Sequence, residues 1–400
     1  MSVVRFAYEH GTAVNEDKST RYHRRRRRAD FAGTVLVGAF LLVLAVSGLS
    51  AAFRTAAEWL TAWLPAVLAP GASAALFLAG LAATVQALEL PFAWYQSYWL
   101  ERRYGLSTQI LAHWLADHVK AVTASSAVMV AGVWAVYLCM RWWPSKWWLV
   151  AATAFTLAMV VLARLAPILL LPIFYRVRPL RQTGLSQRLL RLAERAGAPV
   201  IGVYEWVIAG HTRKANAALA GIGRSRRILL SDTMLEAYSE EEIEVVLAHE
   251  LAHHVHHDLW TSMLLRTATL FGGFYLAAET IAVVAPWLGL RGPADVAGAP
   301  VLLLVAGGLS FAMLPVGNAL SRAQERRADQ FALRLTGNPT AFVTAMRRLG
   351  QQNLAEDRPS ALARWLFYSH PPVRERIAAA EAWPGVASPL PAHGIIAGKE

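Results

Sequence analysis

The chain has 400 residues, of which 56% are hydrophobic and only 16% charged, with a mean hydropathy of +0.35. Soluble domains carry about 25% charged residues, so this composition excludes an ordinary water-soluble protein and fits a chain that crosses a membrane several times. The net charge of +12 is the balance that nucleic-acid binders also show. Its densest block, though, is Arg21 and the arginines 24–28, which lie directly before an apolar run with no aromatic interleaving beyond Tyr22. That is a basic membrane flank, and no nucleic-acid partner is expected.

In chain order, residues 1–30 form a basic cytoplasmic segment. Residues 31–53 are uncharged over 23 positions, enough for a helical span and too long for a signal-peptide core, so they are expected to be an uncleaved anchor. Further spans are predicted at 72–95, 121–140 and 147–173, which makes 31–175 a four-span membrane region. Residues 59–71 are a candidate re-entrant segment. Two more spans are predicted within 263–321, at 263–290 with Glu279 inside it and at 296–321, which is 26 residues without a charge. Arg102, Arg103, Lys120, the basic stretch 176–227 and the arginines from Arg322 onward fall on the side of the N-terminus. The other side holds only Arg54, Arg141, Lys146 and Arg291. Positive charge marks the cytoplasmic face, so six spans with both termini inside are expected. The Ala/Arg/Leu-rich composition points to a bacterial inner membrane.

The water-facing part is split between 176–262 and 322–383, with a tail at 384–400. The first piece is predicted to hold a helix at 185–196 and a strand at 200–208. A hairpin of 216–220 with 227–231 follows, through the Gly-rich turn 221–225. Ser239 followed by Glu242 is a capping-box pair opening a helix that runs to about residue 258. The second piece is predicted to be helical.

The helix opened by Ser239 carries His249-Glu250-Leu251-Ala252-His253. Two histidines four apart share one helical face and can grip one zinc ion, and Glu250, between them, can reach a metal-bound water as general base. A merely polar helix end is the competing reading, because His254, His256 and His257 follow. The apolar flanks Val245 to Ala248, with Leu251 and Ala252, argue against a solvated face. With one cysteine in the chain, Cys139, the remaining ligand must be a His or a carboxylate. Glu325 is the best candidate for that third ligand. Asp329, one turn on, can orient a ligand from behind, and Glu279 is the rival carboxylate. The expected fold is mostly α: a polytopic helical membrane protein with a zincin-like α+β metallopeptidase part, holding one Zn2+ per chain near the cytoplasmic boundary.

With these residues in place the chain resembles the type I CAAX prenyl proteases and their HtpX-like relatives over residues 30–382. The H-E-L-A-H at 249–253 and the E-x-x-x-D at 325–329 match the family's zinc and supporting pattern. Leu90-Pro91-Phe92 and the stretch 101–107 look like the prenyl-protease N-terminal region. By that resemblance Lys214-Ala215-Asn216-Ala217 is the edge segment, with Asn216 and Ala217 binding an extended substrate. His370, in His370-Pro371, would stabilise the tetrahedral intermediate, and Arg376 belongs to the same C-terminal motif, among the substrate contacts. Asp258 matches an acidic position behind the zinc helix. The function this implies is a membrane-embedded zinc metalloendopeptidase acting on peptides or membrane proteins at the bilayer. A quality-control protease of the HtpX type is the enzyme alternative. A metal transporter or sensor built on the cluster 249–257 is the alternative of another class.

Overall fold

The computed structural model describes residues 2–169, 175–221 and 226–384. The first helix, α1 (Ser2–Val46), carries the arginine block and the first apolar run on one rod. It stops at Val46 rather than at residue 53. Gly48 takes a left-handed conformation (φ 78°), open to glycine because it lacks a Cβ, and turns the chain into a separate amphipathic helix, α2 (Leu49–Thr61). The next helix, α3 (Ala69–Trp94), contains Pro91 and runs on through a π-helical turn, Tyr95–Leu100, to Arg103. It is followed by α4 (Leu111–Trp142) and α5 (Trp147–Leu169). The end of the fourth expected span, residues 170–173, lies outside the described residues.

The water-side part begins with β1 (Arg176–Pro179), α6 (Thr183–Arg195), β2 (Val203–Val207), β3 (Ala217–Ala220) and β4 (Arg227–Ser231). The sheet order is β1-β2-β4-β3, with β2 and β4 parallel and the other two pairs antiparallel. The pairing of Ala220 with Arg227 bears out the hairpin, although residues 222–225 of its turn lie outside the described residues. β3 is therefore an edge strand.

After the short α7 (Asp232–Ala237) come α8 (Glu240–Val255) and α9 (Asp258–Val284). A 3-10 turn then leads into α10 (Ala299–Thr336), followed by α11 (Pro339–Gln352), α12 (Ala361–Phe367) and α13 (Val373–Glu381). The expected tail lies outside the described residues from 385.

Among the described residues five helical stretches are long and apolar enough to cross a membrane: Lys18–Val46, Ala69–Arg103, Leu111–Trp142, Asp258–Val284 and Val296–Thr336. A shorter apolar helix, Trp147–Ala163, stands where the remaining expected span falls. Leu42, Val128, Leu157, Leu264 and Val316 stay exposed on these helices, as side chains facing lipid do. Inside the bundle Leu41, Phe77, Val136, Ala151, Ile281 and Ala299 share one buried cluster.

A second cluster unites α6, the sheet, α8 and α11 through Leu189, Ile228, Leu230, Leu247 and Phe342. α10 belongs to both clusters, giving Ala299 and Val301 to the first and Ala328 and Phe331 to the second. The expected boundary at 321/322 thus falls inside an unbroken 38-residue helix.

Candidate metal centre and active site

The capping box at the start of α8 is formed. Ser239 Oγ accepts from the Glu242 amide at 3.3 Å, and the Glu242 carboxylate accepts from the Ser239 amide at 2.9 Å. Ile243, Leu247 and Leu251 anchor the helix in the core. α8 ends at Val255, short of residue 258, because His257 adopts a left-handed backbone (φ 56°) and Asp258 opens α9 at a new angle. His249 and His253 face the carboxylate of Glu325 on α10, and one ligand atom from each of the three lies within 4.8 Å of the others.

The hydrogen-bond pattern shows that this cluster fits a cation. His249 Nδ1 lies 2.9 Å from Asp329 Oδ1, and His253 Nδ1 lies 2.9 Å from Asp258 Oδ2. With carboxylates as acceptors, each ring proton is assigned to Nδ1, which leaves a lone pair on each Nε2. Those two Nε2 atoms stand 3.3 Å apart and lie 3.2 and 3.4 Å from the Glu325 oxygens. Lone pairs facing lone pairs repel unless positive charge sits among them. Glu325 Oε2 is also buried without a hydrogen-bond partner. Burial opposes charging His249, but the neighbouring carboxylates of Asp329 and Glu325 prevail and push the ring up to about 9. His253 is raised too, against burial, chiefly by Glu325. The pocket therefore favours positive charge, and its two-His, one-carboxylate donor set could hold a divalent metal.

Around the cluster stand the other expected residues. Burial pushes the Glu250 carboxyl up, while His249 and His253 pull it down. His370 Nε2 lies 3.3 Å from Glu325 Oε1 on a side chain that is 62% exposed, so it stands at the open mouth of the site. The Arg376 guanidinium grips Asp329 at 2.6 and 2.9 Å and lies 3.3 Å from His249 Nδ1, on the side of that ring away from Glu325. Asn216 is exposed just before the edge strand, its backbone bonded to Ser231, and Ala217 opens β3. Glu279 is exposed, 21 residues into α9 and about 30 Å along it, too far to ligate. His256 packs edge-on against Phe331, and neither it, His254 nor His257 joins the cluster.

Several contacts have no sequence signal. Arg327 bonds the second oxygen of Asp258 at 2.8 Å, fixing the group that orients His253. Asn353 clamps the Ala215 backbone beside the edge strand, its Oδ1 accepting at 3.2 Å and its Nδ2 donating at 3.4 Å. Arg27 on α1 donates to Glu356 at 2.6 Å and to the Tyr368 hydroxyl at 2.7 Å. Arg322 on α10 donates to the Tyr368 carbonyl at 2.6 Å. The strand of chain that presents His370 is thereby held from both the first and the tenth helix. These partners sit 329 and 341 positions apart for Arg27 and 46 for Arg322, so no local pattern could have revealed them.

Comparisons with known proteins agree with this geometry. The family model described as CAAX prenyl protease N-terminal, five membrane helices, matches residues 10–176, the stretch that holds α1 to α5. The model for peptidase family M48 matches residues 179–384. An uncharacterized metalloprotease of Bacillus subtilis, YhfN, is 31% identical over 355 residues, covering 88% of this chain and 82% of its own. CAAX prenyl protease 1 of Saccharomyces cerevisiae is 27% identical over 328 residues, covering 76% and 71% respectively. The crystal structure of S. mikatae Ste24p shares the fold, with a TM-score of 0.78 over 92% of this chain and 88% of that one, at 21% identity. Paired helix-borne histidines, a carboxylate from a membrane-rooted helix and these matches lead to one conclusion: the chain belongs to peptidase family M48 and is an integral, multi-pass membrane metalloprotease that uses a divalent metal.

Proposed function

We propose that the protein is a zinc endopeptidase cutting membrane-associated or membrane-proximal peptides at the cytoplasmic boundary of a bacterial inner membrane. One zinc ion per chain is held by His249, His253 and Glu325. Held there, zinc would polarise the scissile carbonyl and make water more acidic. Glu250, raised by burial, takes the proton of the attacking water and passes it to the leaving amine nitrogen. His370, at the open mouth, offsets charge on the carbonyl oxygen. Asp329 and Asp258 keep the ligand rings oriented, and Arg376 neutralises Asp329. The outer edge of β3, entered through Asn216 and Ala217, pairs with an extended substrate backbone. The cytoplasmic placement rests on the basic loops that share a side with the site.

The observation carrying this reading is the pair of Nε2 lone pairs converging with Glu325 beside Glu250. The match of residues 10–176 to the prenyl-protease N-terminal region favours lipid-anchored substrates, the class named for the yeast relative. Quality-control cleavage is the second reading, because edge pairing reads backbone and leaves side chains largely unselected. The experiment is cleavage of a membrane-tethered fluorogenic peptide by protein in nanodiscs. Glu250→Gln should lower kcat by about 10²–10⁴-fold while zinc content is unchanged. Equal turnover by wild type and Glu250→Gln would overturn the assignment.

A further inference from the structure

At the end of the helical bundle remote from the metal centre there is a cavity of about 1000 Å³. It is enclosed by α2, the start of α3, the facing ends of α4 and α5, and the loop 291–296. Its lining carries five charged side chains: Arg54, Arg141, Arg291, Glu58 and Asp295. Both acids are already matched within the wall. Asp295 accepts from Arg54 and from the amides of Arg291 and Ala297, the amides at 2.8 and 3.0 Å. Glu58 is held by both terminal nitrogens of Arg291, at 2.5 and 3.0 Å.

Three cations against two anions leave one positive charge over. It resides on Arg141, which forms no ion pair among the described residues. A second donor is also unmet. Arg54 is nine-tenths buried, yet its Nε has no hydrogen-bond partner, with the nearest Glu58 oxygen 3.9 Å away. That Nε–H is sealed inside the wall and out of a ligand's reach, so the surplus positive charge open to the cavity is that of Arg141.

The remaining wall is largely apolar, with Val67, Trp134 and Leu138 among its members. The same end of the bundle bears exposed tryptophans, Trp59 on α2 and Trp63 just after it, Trp142 and Trp143 at the end of α4, and Trp287 after α9. Tryptophan belts of this kind sit at the level of lipid headgroups. The cavity thus lies where a headgroup meets acyl chains, and guanidinium forks match phosphate oxygens. We propose that it binds an anionic phospholipid from the leaflet opposite the metal centre. The headgroup phosphate sits against Arg141, and the chains lie along the apolar wall.

The test uses the full chain in detergent, with binding read by native mass spectrometry and by Tm. The probes are phosphatidylglycerol, phosphatidylcholine and water-soluble glycerol phosphate. Phosphatidylglycerol should bind saturably and raise Tm, while the other two should not. Arg141→Gln should weaken that binding at least tenfold, with peptidase activity unchanged because the residue lies at the far end of the bundle. Equal binding of phosphatidylcholine would remove the charge argument. A matching response to glycerol phosphate would make this a soluble-phosphate site, and full phosphatidylglycerol binding by Arg141→Gln would overturn the assignment. The binding and Tm outcomes do not depend on peptide cleavage.

Discussion

Replacing Asp258 tests whether the metal centre depends on the residue that opens α9. Asp258 orients His253 through a 2.9 Å contact at Nδ1 and is itself held by Arg327 at 2.8 Å. Asp258→Asn keeps an acceptor for the ring proton but removes the charge that makes Nε2 more basic, and Asp258→Ala removes both. Outer partners of metal-ligating histidines are worth about 10- to 100-fold in metal affinity, or about 1.4–2.8 kcal/mol. The Asn variant should fall near the lower end and the Ala variant near the upper. Arg327, half exposed, can turn to water in either variant, so little of the loss should come from a stranded charge. Competition with a calibrated chelator on the detergent-purified full chain measures the affinity, and Tm in excess chelator reports folding separately. Zinc affinities within about twofold of wild type for both variants would refute the reasoning.

Asp329→Asn should behave differently, because its partner Arg376 is buried. Removing one member of a buried pair costs about 3–5 kcal/mol, so Tm should fall even in excess chelator, and an unchanged Tm would refute this. Burial opposes ionisation of Glu356, but its bonds from Arg27 and Tyr368 hold its pKa below the ordinary 4.5. The stabilisation is therefore complete above about pH 4.5 and lost as pH falls through the lower folded value. Glu356→Gln should lower Tm at pH 7 and flatten its decline as the pH falls below about 4.5, whereas parallel curves would contradict the linkage. His257→Gly should raise stability by about 0.5–1 kcal/mol, because glycine enters the left-handed region without strain. Chemical unfolding of the two proteins side by side checks it.

The sequence made legible whatever is local. H-E-L-A-H, the Ser239–Glu242 box and the Glu325–Asp329 spacing depend on partners three to four residues apart, and each was formed as expected. The spans were readable because charge vanishes over whole helices. The break at Gly48 was not, since the apolar run continues across it and only backbone conformation marks the turn. The pairing of Arg376 with Asp329 has no local signal for another reason: the partner is 47 residues away and tertiary packing alone brings them together. The same holds for Arg27 with Glu356 and for Asn353 with Ala215, where distant segments meet at loops without periodic pattern.

α10 makes the metal centre answerable to the bilayer. Glu325 rides 26 residues beyond Ala299 on one helix rooted in the membrane, a lever arm of about 39 Å. A tilt of about 5° at the root would swing its carboxylate by about 3 Å, whereas coordination distances hold within about 0.2 Å. Because α8 shares a buried core with the far end of that lever, the two halves of the ligand set must travel together or part. Membrane thickness, to which helices can respond by tilting, thereby becomes a variable of turnover, and the same purified enzyme should work at different rates in thin and thick bilayers.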